Sequence, residues 1–290
     1  SQTINVAGGA LVSMQGGTSL ATTVGTSHGS YASIYSKGAS QTINFPSGGT
    51  LDMLGGSAGQ RNFANISIDN GNQSITGSPA ILVRGGNGGG VPGEGNGAYI
   101  TANHGNQAVN ASSITLAGGI SGTENLVQLR QGNTTTGLGG TQTLTLTGTG
   151  VDINGGGGIS NFARIRSFGT SQQLGFNGGS LTLDGGNGTS DNYAQVQAVN
   201  GTQSITGAPN ITVNAGTNGA DLLGNYAVVL AGTSQTIVAN DLTLQAGASG
   251  IGNYATVQAP QQNLTVQHNL NLNGGGSQPS SDGLGGGVRI

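Results

Sequence analysis

The 290-residue chain contains no cysteine and no tryptophan. Without thiols it has no disulfide, no thiolate metal site, no cysteine nucleophile and no c-type haem attachment. Charge is almost as scarce. Seven basic and ten acidic residues make up 6% of the chain, against about 25% in an ordinary globular protein. That is too little like charge to hold a chain open by repulsion. A net charge of −3 lacks the clustered cationic field that nucleic acid requires. No apolar run reaches the roughly 18 residues that a membrane-spanning helix needs, so no membrane insertion is expected. Six prolines, and glycines without a three-residue period, exclude collagen.

What is abundant is glycine, 59 of 290 residues, about three times ordinary usage. Each glycine costs a helix about 1 kcal/mol relative to alanine, so an all-β chain is expected. The rest is a repeat. A glutamine followed two residues later by an aliphatic residue recurs nine times, starting at Gln2, Gln41, Gln73, Gln107, Gln142, Gln172, Gln203, Gln235 and Gln262, at spacings of 27 to 39 residues. A second segment follows each glutamine as aliphatic-x-aliphatic, for example Ile81/Val83, Leu181/Leu183 and Ile211/Val213, closed by small residues and glycine. A third reads Asn-aromatic-Ala-x-aliphatic. Its clearest copies begin at Asn62, Asn161, Asn192, Asn225 and Asn253 and carry Phe63, Phe162, Tyr193, Tyr226 and Tyr254. Ser30-Tyr31-Ala32 and Asn125-Leu126-Val127 are looser copies, and in Gly97-Ala98-Tyr99 the aromatic has slipped by two.

All three segments alternate with period two, the signature of a strand with one buried face. Gly, Asn, Ser and Pro, which turn the chain, lie between them. The expectation is a single parallel β-helix, or β-solenoid, over 1–290. It has about nine three-strand coils, stacked about 4.8 Å apart and about 40 Å long. A disordered chain would not keep three apolar columns in phase. Aliphatic residues should face inward and be completed by neighbouring coils, because one repeat alone cannot bury them. The Gln column should stack amide on amide. The Asn column should do the same at a turn, where Asn tolerates left-handed backbone. Tyr31, Phe63, Phe162, Tyr193, Tyr226 and Tyr254 should form one aromatic column. The long 85–97 stretch, with Pro92, reads as a turn insertion.

The side chains that could carry chemistry are dispersed. A polysaccharide-degrading β-helix needs convergent carboxylates. Asp52 and Asp152 share a column but lie three coils apart, and Asp152 and Asp184 are in adjacent coils with columns two positions apart. His28, His104 and His268 fall in repeats one, three and nine, so no catalytic residue, metal site or cofactor is expected. Arg164 and Arg166 share a strand face that would take one anionic group. Outward positions carry hydroxyls, Thr143, Thr145, Ser204, Thr206 and Thr236 among them. They form a candidate binding face for glycan or, as a flat hydroxyl array, for ice.

Runs such as GTQSITGAPNITVNAG at 201–216 resemble the repeat regions of filamentous-haemagglutinin-like bacterial surface exoproteins, and the Gln and Asn columns are similar to the ladders of curli-type amyloid subunits. These resemblances imply export to the bacterial surface and a role in adhesion or matrix. The first repeat begins at once with Gln2 and the ninth reaches Ile290. Uncapped strand edges pair readily with another chain, so the expectation is either a segment of a larger surface exoprotein or subunits that self-associate end to end into a filament, with host or matrix glycans as further partners. Three readings stand together: a non-enzymatic structural or adhesive solenoid, a glycan- or ice-binding module, and a polysaccharide-degrading enzyme.

Overall fold

A computed structural model describes residues 1–18, 29–133, 139–219, 224–276 and 286–290. Among the described residues there is no helix, and 25 strands form two parallel sheets of sixteen and nine strands. The fold is a parallel β-solenoid. The first and second segments of every repeat build the larger sheet, and the third segments build the smaller one. Nine rungs in each column make eight steps from the first coil to the last.

The register is like over like. Gln2 pairs with Gln41, Gln41 with Gln73, Gln73 with Gln107, and so on to Gln235 with Gln262. The second column runs from Val12 through Leu51, Ile81, Ile114, Val151, Leu181, Ile211 and Leu242 to Leu270. The third runs Ala32, Ala64, Ala98, Val127, Ala163, Ala194, Ala227, Ala255 and Val288.

The core is the sum of these columns. Ile75, Val109 and Leu144 are at most 2% exposed. Burying each such side chain contributes about 1.5–3 kcal/mol. Burial depends on having a coil on both sides. Leu242 and Leu244 are fully buried, whereas Leu270 and Leu272, the same positions one coil on, are 50% and 48% exposed.

Two coils depart from the three-strand plan. Gln107–Ala117 and Thr141–Asn154 each run the first and second segments together as one strand, with a register shift between Ala111 and Ser113. Elsewhere these segments are parted by turns such as Gly77-Ser78-Pro79 and Gly207-Ala208-Pro209, in which Gly and the next residue are left-handed. Residues 110–113 and 145–149 lie within these strands, and Ala111 and Leu146 are buried in the core. At Gly207, with φ +89°, a Cβ would fall on the Phe176 carbonyl of the neighbouring coil. Only glycine fits there without strain.

Candidate functional site: side-chain ladders and outward faces

The Gln column lies inside the solenoid, on the same strand face as the aliphatic residue two places later. Gln41, Gln142 and Gln172 are fully buried. Each Nε2 donates to the Oε1 of the preceding coil's Gln, in eight bonds of 2.5–2.9 Å that all run the same way. Second bonds from Nε2 reach the smaller sheet: Gln41 to Ser67 O, Gln73 to Thr101 O and Gln172 to Gln197 O, at 3.1–3.2 Å. The ladder therefore joins coil to coil along the axis and sheet to sheet across it. Buried amides satisfied in this way avoid the desolvation cost of unpaired polar groups.

The Asn column works differently from the expected amide stack. The backbone N–H of each Asn donates to the Oδ1 of the Asn in the following coil: Asn62 to Asn96, Asn96 to Asn125, Asn125 to Asn161, Asn161 to Asn192, Asn192 to Asn225 and Asn225 to Asn253, at 2.5–3.0 Å. Nδ2 is already committed to turn carbonyls, as in Asn125 to Ser121 O at 2.7 Å and Asn225 to Thr217 O at 2.6 Å. Nδ2 also reaches back to the preceding coil, as in Asn96 to Gly59 O at 3.0 Å and Asn161 to Ser121 O at 3.1 Å. Asn192 also gives an amide-to-amide bond, to Asn225 Oδ1. The left-handed residue is the one before the Asn, not the Asn itself: Arg61, Glu124, Ser160, Asp191, Gly224 and Gly252 all have φ of 51–68°. Asn96 and Asn125 belong to the column. Asn96 closes the 85–97 stretch and stands two residues before Ala98, as Asn62 does before Ala64. Aligning on the alanine rather than on the aromatic would have found it.

The aromatic column is continuous over one half of the solenoid only. Phe162, Tyr193, Tyr226 and Tyr254 stack face to face with centroids 4.5, 4.8 and 5.0 Å apart and planes within 8°, matching the rung spacing. Gly97 and Leu126 interrupt the run. Tyr99 folds back over Gly97, where a Cβ would collide with its phenol, and meets Phe63 edge-on at 5.4 Å. Tyr31 stays outside the stack, 67% exposed. Burial pushes the phenols of Tyr99, Tyr193 and Tyr226 up from their ordinary range. Tyr226 stacks on two rings, and each pair is worth about 0.5–1.5 kcal/mol. Tyr226→Leu is therefore expected to cost about 1–3 kcal/mol, measured as lost urea stability, with little loss for Tyr31→Leu.

Thr143, Thr145, Ser204, Thr206 and Thr236 all point outward from the larger sheet. Their columns are interrupted by Gln173, Gly175 and Asn110, which share their register. Asp152 sits in a depression of about 320 Å³ lined by Ser113, Thr115, Thr149, Ser180 and Thr182. Burial, and then the charge of Asp184, raise its carboxyl above the usual range. Asp152 pairs in register with Thr182, and Asp184 with Asn154, so the two carboxylates lie diagonally. Asp184 also accepts a hydrogen bond from Asn214 Nδ2 at 2.7 Å.

No protein-family model, curated protein or solved structure matches the chain.

Among the described residues, two ion pairs join adjacent coils. Asp52 accepts from Arg84 at 2.6 Å and Glu94 from Arg61 at 2.7 Å. No three metal-ligating side chains come together among the described residues, and no helix there is long and apolar enough to cross a membrane. His104 Nδ1 lies 2.6 Å from Asp69 O, while His28 falls outside the described residues. Arg164 and Arg166 do share an outward face, and Arg130 joins them as the register partner of Arg166. That third arginine is 34 residues before Arg164 and was not grouped with it by sequence proximity.

Proposed function

We propose that the chain is a non-enzymatic structural and adhesive solenoid at the bacterial cell surface, of the filamentous-haemagglutinin-like kind. The observation that carries this reading is the Gln ladder. It runs unbroken through all nine rungs, every bond in the same sense, so the molecule is built along its whole described length for axial continuity. The acidic side chains favour the same reading, being spread over different coils, with Asp52, Glu94 and Asp184 held by Arg84, Arg61 and Asn214. The interruptions at Gln173 and Gly175 speak against a flat ice-binding array.

End-to-end association of copies belongs to the proposal. Leu270 and Leu272 are half exposed, an edge that a further coil, of a longer polypeptide or of a second copy, would cover. A coil of a second copy laid over that edge would bury both leucines and extend the ladder from Gln262. Such a joint is heterologous and generates a filament rather than a closed ring. Negative-stain electron microscopy and sedimentation across a wide concentration range test it. Filaments, or rods lengthening with concentration, are expected; monomers at every concentration would overturn the end-to-end element.

A further inference from the structure

Three of the seven basic residues stand together on the outer face of the smaller sheet. Arg130 and Arg166 are register partners in adjacent coils, about 4.8 Å apart, and Arg164 lies two residues before Arg166 on the same face. Among the described residues none of the three forms an ion pair with a carboxylate. Arg164 is held by Gln128 Oε1 at 2.6 Å, by the Tyr193 hydroxyl at 3.3 Å and by the Phe162 ring beneath it. Arg130 donates to Asn103 Oδ1 at 2.7 Å, and Asn103 in turn donates to Asp69. Arg166 lies over the Phe168 ring at 4.5 Å. The Nε atoms of Arg130 and Arg166 are buried without a partner. Burial and the charge of Arg164 both draw these two guanidinium groups below the ordinary arginine range. Fixed, half-buried like charges without a counter-charge are costly, and an anion from outside would offset that cost.

The surroundings give the anion its class. One outward column runs Ser67, Thr101, Arg130, Arg166, Gln197, Leu230. On one side of Arg166 the sheet carries a depression of about 340 Å³, lined by Asn65, Thr101, Gln128 and Arg130 among others. On the other is one of about 250 Å³ that includes Gln197 and Gln258. Together they form a track along the solenoid axis, roughly 29 Å over six rung steps, which suits a polymer rather than a single ion. Amides and hydroxyls line the first depression, and the second adds Leu230, Ala231, Ala259 and Pro260 beside its two glutamines, a mixed surface that suits the hydroxyls and ring faces of a sugar chain. Phe162, Tyr193, Tyr226 and Tyr254 stack on one another and Tyr99 packs edge-on against Phe63, so no row of free rings is offered to successive bases, and three charges give little hold on a phosphate backbone. Planar guanidinium forks match planar carboxylates.

We propose that this track binds an acidic polysaccharide bearing uronate carboxylates, with Arg130 and Arg166 as its anion contacts. This deepens the adhesive reading and rests on it. The test is retention on immobilised polygalacturonate at low salt, beside neutral dextran, dextran sulfate and single-stranded DNA. The whole chain should be retained by polygalacturonate and not by dextran. Arg130→Gln/Arg166→Gln should weaken retention at least tenfold. Lys37→Gln/Arg84→Gln, which removes equal charge elsewhere, should leave it unchanged. Arg166→Lys keeps the charge but loses the fork, and should fall between. Far-UV circular dichroism and melting of each variant separate loss of the site from loss of the fold. Unchanged retention in the arginine variants, no retention of the parent chain, or preference for dextran sulfate or DNA would overturn the proposal. Filaments without polygalacturonate binding would sink this site and leave the structural reading standing; binding without filaments would sustain this site and overturn only the end-to-end element.

Discussion

Replacing Gln142 by Leu is expected to destabilise the middle of the solenoid by about 4 kcal/mol. Leu has nearly the volume of Gln, so the cost is polar rather than steric. Gln107 Oε1 loses its 2.7 Å donor, and Gln172 Nε2 loses its 2.7 Å acceptor. Both groups are fully or almost fully buried. An unpaired buried polar group costs about 1–3 kcal/mol, and here there are two. The same substitution at Gln2 removes one bond at a partly exposed rung and should cost under about 1 kcal/mol. A repeat array is stabilised by nearest-neighbour terms and does not unfold as one unit. The appropriate measurement is therefore hydrogen exchange resolved along the chain. Gln142→Leu should speed exchange in the rungs from Gln107 to Phe176 and leave the outer rungs protected. Equal effects at Gln2 and Gln142 would show that the ladder does not carry the stability assigned to it.

Asn161→Ala is expected to cost about 3–5 kcal/mol. The Asn161 side chain is fully buried. Its Oδ1 is the acceptor for the Asn125 N–H at 2.7 Å, and its Nδ2 donates to Gly157 O in its own turn and to Ser121 O at 3.1 Å in the preceding one. Alanine leaves the Asn125 N–H orphaned, withdraws the donor shared by two turns and opens a small cavity, each a cost of about 1–3 kcal/mol. Asp at the same place keeps the acceptor but loses the donor, and sets a charge among carbonyl oxygens. It should be worse than Ala at neutral pH and recover towards it in acid, as the carboxyl takes a proton. Urea titrations of both variants at pH 7 and pH 4 check the order. Asp matching Asn at pH 7 would mean that Nδ2 is not needed.

The architecture was legible because its code is periodic. Gln, aliphatic and Ala positions recur in phase, and a strand's period of two assigns them to a face. Column geometry is less legible, because it depends on what stands one coil away. The sequence around Tyr99 reads as a slip by two, yet its ring returns over Gly97 because the glycine leaves room. Asn96 was hidden inside a glycine-rich stretch that reads as an insertion. The Asn column has the right residues, but its bonds depend on a left-handed step at Arg61, Glu124, Ser160 or Asp191, residue types with no strong preference for it. The fusion of segments at Gln107–Ala117 and Thr141–Asn154 has no local proline signal, since 177–179 and 240–241 part the same two segments without a proline. The outward arginines are the clearest case of information absent from linear order. Arg130 and Arg166 lie 36 positions apart and become neighbours only through the register.

Pairwise spin-label distances along one outward column test like-over-like stacking most directly, and a chain without cysteine accepts the labels cleanly. Position 236 lies three rungs from 143, five from 74 and six from 42. The separations should rise in proportion, to about 14, 24 and 29 Å, at about 4.8 Å per rung. Distances that do not scale with rung number, or broad distributions at all three pairs, would contradict the solenoid and every ladder described on it.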